Sequence, residues 1–247
     1  MQNKPKIIGV IPARLDSSRL PGKVLRKIGD RAMLQRVYER AGSSPLLTEL
    51  LVASDSEEVL EFCADRKIPS MRTRRHESGS DRLHEVMQRT DGDIYVNIQG
   101  DEPTLRKDHI ERLLQPLLDG RGEITTLKVA IVSATARDPN CVKVVTDKQG
   151  RALYFSRLPI PCNRDDREDI RYYKHIGLYG YTRSALELFH GLGPSELERT
   201  EKLEQLRLLE NGIDVLVEET PYDTIGVDTE EDLKKAAAFL AAETEDT

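Results

Sequence analysis

The stretch that most constrains this chain is its first apolar run, Ile7-Ile8-Gly9-Val10-Ile11, with the loop into which it empties, Pro12-Ala13-Arg14-Leu15-Asp16-Ser17-Ser18-Arg19-Leu20-Pro21-Gly22-Lys23. An unbroken run rich in β-branched residues predicts a buried strand. In an open α/β sheet, ligands sit beyond the carboxyl ends of the strands, where loop N–H groups and the next helix N-terminus favour anions. Arg14, Arg19 and Lys23 add fixed positive charge there, so the pattern predicts a strand feeding a phosphate site. A solvated basic loop is the plainer alternative. Pro21-Gly22 weighs against it, because proline fixes φ and the pair shapes a turn directly before Lys23.

The rest of the chain bounds that reading. A chain of 247 residues can bury a large core, and α/β folds of this size commonly form one domain, so a single domain over 1–247 is expected. No apolar run approaches the length of a membrane span. Residues 1–6 carry no apolar signal core, so a cytoplasmic protein is expected. Cys63, Cys141 and Cys162 are far apart and odd in number, which argues for free thiols rather than a disulfide framework or a zinc site. The net charge of −6 disfavours broad affinity for nucleic acid, yet a local cationic loop can still hold a nucleotide.

Along the chain, Met33, Leu34, Val37, Tyr38 and Ala41 recur at helical spacing until Gly42-Ser43-Ser44-Pro45. Leu50–Ser54 predicts a strand, and Asp55 with Glu58 resembles a capping box opening a helix through Arg66. A short strand at Ile68–Met71, a helix around Leu83–Met87 and a strong strand at Ile94–Gln99 follow. This alternation predicts a mostly parallel sheet covered by helices. After a helix carrying Ile110, Leu113, Leu114 and Leu117, strand follows strand at Ile124–Val132, Val142–Thr146, Ala152–Phe155 and Ile176–Tyr181. Residues 123–181 are therefore expected to be an antiparallel extension that shapes a substrate pocket or a subunit contact. Helical spacing returns in Leu203, Leu206 and Leu209, and the chain closes with a strand at Val215–Val217 and a helix from about Thr229.

Three constellations carry chemistry. Ser78-Gly79-Ser80-Asp81-Arg82 lies between a strand and a helix, where small residues let backbone approach a ligand, although a simple helix cap explains it equally well in isolation. Asp101, in Gln99-Gly100-Asp101-Glu102-Pro103, falls where the strongest strand meets its loop. This is a natural Mg²⁺ position, since that ion prefers one or two carboxylates completed by phosphate oxygens and water. Asp228, before Thr229, either serves the same metal or opens a helix in a favourable dipole, and the residues alone leave both open. Tyr154–Arg157 and Lys174–Tyr181 place cationic and hydrogen-bonding groups on strands. An acidic sugar would use both. No G-x-x-x-x-G-K-[ST] and no G-x-G-x-x-G in the first turn is present, which removes P-loop kinases and dinucleotide-binding dehydrogenases.

Pro12-Ala13-Arg14, Arg19-Leu20-Pro21-Gly22-Lys23, His76–Arg82, Gln99–Pro103, Tyr154–Arg157, His175–Tyr181, Leu203–Arg207 and Gly226–Leu233 together resemble the 3-deoxy-manno-octulosonate (Kdo) cytidylyltransferase family. The resemblance runs from about Ile7 to Leu233, with Ser80 standing where the family commonly has Thr and with a different loop at Cys162–Asp165. It implies an α/β fold with a mostly parallel, Rossmann-like nucleotidyltransferase sheet, helices on both faces and a smaller antiparallel extension. It implies transfer of CMP from CTP to the anomeric hydroxyl of Kdo, with release of pyrophosphate, for lipopolysaccharide assembly. By the same resemblance Ala13, Arg14, Arg19, Lys23, Ser78, Gly79 and Gln99 bind the nucleotide, and Asp101 and Asp228 hold Mg²⁺. Lys23 joins that acidic pair in catalysis, and Arg157, His175, Tyr179, Glu204 and Gln205 line the sugar pocket. A homodimer without nucleic-acid or membrane partners is expected. An amino-substituted Kdo as acceptor, or a regulator that binds the nucleotide sugar without turnover, are the alternatives.

Overall fold

The protein is described by a computed structural model covering residues 4–16 and 19–245, with side chains through 243; Ser17, part of the first motif, lies outside the described residues. The chain divides into two compact units, Met1–Glu111 with Thr224–Thr247, and Arg112–Asp223. The second unit is larger than the expected 123–181 subregion, because the segment after Tyr181 folds with it.

In chain order, the first unit begins with β1 (Ile7–Pro12), a 3-10 turn at Lys23–Leu25, β2 (Lys27–Ile28), β3 (Arg31–Ala32) and α1 (Met33–Gly42). There follow β4 (Glu49–Ser54), α2 (Glu57–Asp65), β5 (Ser70–Arg72), α3 (Gly79–Gln88), β6 (Ile94–Asn97) and α4 (Lys107–Leu118), whose second half belongs to the second unit. β1 pairs in parallel with β4 on one side and β6 on the other, and β4 with β5. Ile7, Ile8, Val10 and Ile11 of β1 are fully buried, which is why that strand reads as a continuous apolar run. The helix at 57 is capped by Ser56, whose Oγ accepts from Val59 N, one residue after the expected Asp55. Asp55 instead accepts a hydrogen bond from Arg82.

The second unit holds β7 (Ile124–Ile131), α5 (Ser133–Ala136), β8 (Lys143–Thr146), β9 (Ala152–Ser156), β10 (Tyr172–Thr182), α6 (Arg183–Gly191), α7 (Glu196–Glu201), α8 (Leu206–Glu210) and β11 (Leu216–Glu219). β10 is antiparallel to both β7 and β8, β8 to β9, while β11 runs parallel to β7. The fold is thus α/β, with parallel pairing of β1, β4, β5 and β6 and a short antiparallel β2–β3 pair in the first unit, and the expected antiparallel extension in the second. Between Ile176 and Tyr179 the β10 register advances three residues while β7 advances one. The two extra residues preserve the alternation, so His175 and Tyr179 stay on one face. The helical spacing at Leu203 does not extend a helix back to that residue: Lys202 adopts φ +56° and ends α7, leaving Glu204 and Gln205 in a turn before α8.

Returning to the first unit, α9 (Glu230–Glu245) lays Leu233, Ala236 and Leu240 against Leu20, Ile28, Met33 and Val227. This cluster ties the first loop to the segment that carries Asp228. The three cysteines are free thiols, Cys63 and Cys141 buried and Cys162 exposed. Among the described residues no helix is long and apolar enough to cross a membrane.

Candidate active site

Leu20-Pro21-Gly22-Lys23 closes on itself, with Lys23 N donating to Leu20 O at 3.1 Å and Gly22 at φ +63°, a conformation that side-chain-bearing residues avoid. The turn launches Lys23 into a cavity of about 270 Å³ beside Pro12, Gly79 and Gln99. Arg14, Arg19, Ser78, Asp101 and Asp228 line the same cavity. Eight of the expected nucleotide and metal residues are therefore gathered in one place. Ala13 is the exception: it is fully buried, its N–H donates to Ala53 O and its carbonyl accepts from Ser54 Oγ, which turns it away from the cavity.

Lys23 Nζ donates to Asp101 Oδ2 at 2.5 Å, Asp228 Oδ1 at 2.9 Å and Val227 O at 3.3 Å. Arg19 pairs with the second oxygen of Asp228 at 2.8 Å. Burial alone would lower the Lys23 pKa, but the two carboxylates outweigh it and hold it above the usual lysine range. Burial pushes Asp228 the other way, and its contacts with Lys23 and Arg19 leave it below the ordinary carboxylate range. The backbone fixes this geometry as well, since Val227 N donates to Asp101 O at 2.9 Å.

Ser78 caps α3, accepting from Asp81 N at 3.1 Å, and the same residue lines the cavity. Arg82, four residues on, ends the same sequence segment, and the sequence alone assigns it no separate role. Its side chain is 1% exposed yet lines the cavity, held by Asp55 at 2.7 Å and by a hydrogen bond to Thr73. Its spacing from Ser78, one helical turn, was the available signal.

The expected sugar residues fall in the second unit. Tyr179 is buried and stacks between His175 and Tyr181, while Phe155 packs edge-on to His175. Thr126 Oγ1 lies 2.8 Å from Leu178 O and 3.1 Å from Ile176 O, so its one hydrogen goes to a carbonyl and His175 Nε2, 2.9 Å away, donates to it. Burial drops the His175 pKa to about 3, leaving a neutral imidazole. Burial likewise holds the Tyr179 phenol well above its usual range, against the opposing pull of the nearby Thr126 hydroxyl, and its own hydroxyl makes no hydrogen bond of good geometry among the described residues.

Arg157 does not present an open guanidinium fork. Its Nε donates to Glu201 O at 2.7 Å, and its two terminal nitrogens donate to Pro139 O and Lys202 O. Three of its five N–H groups are thereby committed to main chain, and two are left for a ligand. Its own carbonyl accepts from Lys143, a fully buried lysine that also donates to Asp138 O and Cys141 O. Gln205 is buried in the turn before α8, and Glu204 sits beside it, 3.9 Å from Arg207.

Residues 8–219 match the cytidylyltransferase family model. The 3-deoxy-manno-octulosonate cytidylyltransferase of Koribacter versatilis is 51% identical over 95% of this chain and 90% of its own. That of Acidobacterium capsulatum is 52% identical over 95% of this chain and 96% of its own. A solved CMP:2-keto-3-deoxy-manno-octonic acid synthetase complexed with CTP is 45% identical and superposes with a TM-score of 0.92, covering 96% of this chain and 99% of its own.

Proposed function

Because this chain belongs to the 3-deoxy-manno-octulosonate cytidylyltransferase family, we propose that it transfers CMP from CTP to Kdo. The anomeric oxygen of Kdo forms a bond to the α-phosphorus, the bond from that phosphorus to the bridging oxygen breaks, and pyrophosphate leaves as the hydroxyl proton is released. The product, CMP-Kdo, is the activated sugar for lipopolysaccharide assembly, made in the cytoplasm.

The observation that carries this reading is the convergence of Lys23, Arg19, Asp101 and Asp228 in one cavity with the Ser78-Gly79 turn. Arg14, Arg19 and Lys23 bind and orient the triphosphate, and Ser78, Gly79 and Gln99 approach the nucleoside. Asp101 and Asp228 hold Mg²⁺. The donor set fits: both carboxylates reach one ammonium, so their oxygens converge, and two carboxylates suit an ion that takes its remaining ligands from phosphate and water. When bound, that ion would screen the triphosphate charge and lower the pKa of the attacking hydroxyl. The protein's own part is positioning and electrostatics. In the second unit, Tyr179 offers a buried hydroxyl that makes no hydrogen bond of good geometry among the described residues, and Arg157 has two N–H groups left for the sugar carboxylate, with His175, Glu204 and Gln205 completing the pocket. The exposed Val132, Leu153 and Leu158 support a homodimer contact through this unit.

Pyrophosphate release by the purified protein should require CTP, Kdo and a divalent cation together and stop in EDTA. Full turnover in EDTA would remove the metal. Preference for an amino-substituted Kdo in a panel of acidic sugars would change the acceptor, and tight binding of CMP-Kdo with no turnover would make the protein a regulator.

A further inference from the structure

We infer that Lys23 is a resident counter-ion that makes divalent-cation binding at Asp101 and Asp228 conditional on the nucleotide; the inference rests on the proposed metal role of that pair. Lys23 has three hydrogens to donate and three acceptors at hand, Asp101 Oδ2, Asp228 Oδ1 and Val227 O. Arg19 takes Asp228 Oδ2. Three of the pair's four carboxylate oxygens are thus held by cationic side chains, and two positive charges balance two negative ones.

A divalent cation arriving alone meets a neutralised pair. To bind, it must displace the ammonium from both carboxylates and leave it without an equivalent partner in a half-buried place. Mg²⁺ also gives up its water reluctantly, and two carboxylates alone seldom hold it. A triphosphate changes the balance. Its oxygens offer Lys23 and Arg19 new anionic partners, and the exchange needs only side-chain rotation, because the turn that carries Lys23 is fixed at Gly22 and Leu20. The carboxylates are then released to the metal that accompanies the nucleotide. Lys23 therefore does two things in sequence: it keeps the acidic pair from repelling itself, and it hands that pair to the metal when phosphate arrives. Cation and nucleotide bind with positive coupling as a consequence.

The test is a Mn²⁺ titration of the nucleotide-free protein followed by electron paramagnetic resonance, Mn²⁺ standing in for Mg²⁺ because its free ion is visible. Lys23→Met should bind Mn²⁺ at least about tenfold more tightly than the natural protein, since the competing charge is gone. Equal affinity in the two proteins would overturn the inference. Adding Asp101→Asn to Lys23→Met should abolish the gain; a gain that survives would place the metal elsewhere and overturn the proposed site itself. Should Lys23→Met fail to fold, Arg19→Ala carries the test, with an expected gain of about threefold from uncovering one oxygen of Asp228. No gain in that variant would again overturn the inference.

Discussion

The cavity of the first unit and the aromatic cluster of the second hold their polar groups in opposite ways. Around Lys23, charged side chains satisfy one another, and the partners remain in reach of solvent, from 15% exposed at Lys23 to 56% at Arg19. Around His175, polar groups are sealed among rings or tied to main-chain carbonyls, as with Thr126, Lys143 and Arg157. Pairs of the first kind can exchange partners when a charged ligand arrives. Those of the second kind cannot, because a stranded carbonyl or a buried charge is costly. Substitutions among these charged pairs of the first unit should therefore change chemistry before stability, and those that remove a donor tied to main-chain carbonyls in the second should do the reverse.

The largest effect expected from this contrast is on rate. Asp101→Asn should lower turnover by about 10²-fold or more, the scale of one lost electrostatic stabiliser, while thermal unfolding moves little. Pyrophosphate release beside calorimetry checks it, and a variant that unfolds early but turns over normally would break the contrast. Lys143→Met should do the opposite. It leaves three carbonyls without their donor, the Cys141 carbonyl among them buried, so denaturant unfolding should show a loss of about 1–3 kcal/mol with CTP affinity unchanged.

Acid sharpens the comparison further. Burial holds His175 neutral with a pKa of about 3, well below the ordinary imidazole value of about 6.5, so below pH 6.5 the unfolded chain takes up a proton that the folded one refuses. Its contribution is complete above pH 6.5 and is lost progressively as the pH falls from there towards 3. Between pH 7 and pH 5 this amounts to about 2 kcal/mol, read as the difference in pH dependence between the natural protein and His175→Gln. A smaller loss, about 1 kcal/mol, is expected for Arg157→Lys, which keeps the charge but not the hydrogen bonds to Glu201 O, Pro139 O and Lys202 O. Its Michaelis constant for CTP should stay put, and a rise there would assign Arg157 to the nucleotide.

How far the sequence was legible follows the same divide. β1 and its loop could be read because a buried strand and a turn fixed by Pro21-Gly22 are local features. Asp101 could be read because it follows a strong strand. That one lysine joins two acids 78 and 205 positions away was hidden, since no local pattern records it. The cap of α2 was misplaced by one residue because Asp55 and Ser56 are both good caps, and the deciding fact, Arg82 claiming Asp55, is tertiary. In the second unit, cations near strands were visible but their acceptors were not. The partners of Arg157 and Lys143 are main-chain carbonyls of turns, which any residue can supply. Likewise Leu203 fits a helical period, and only the left-handed conformation at Lys202 shows that the helix starts later. β2 and β3 are two residues each, too short for alternation to register.

The central claim is that sugar recognition belongs to the second unit and nucleotide binding to the first, and Tyr179→Phe tests it most directly. The change removes one buried hydroxyl that makes no hydrogen bond of good geometry among the described residues, only a weaker approach to Thr126, so unfolding should change little. Steady-state kinetics with each substrate varied should show the Michaelis constant for Kdo rising by up to about tenfold, the worth of one hydrogen bond, with that for CTP unchanged. An unchanged constant for Kdo, or an equal rise for CTP, would contradict the account.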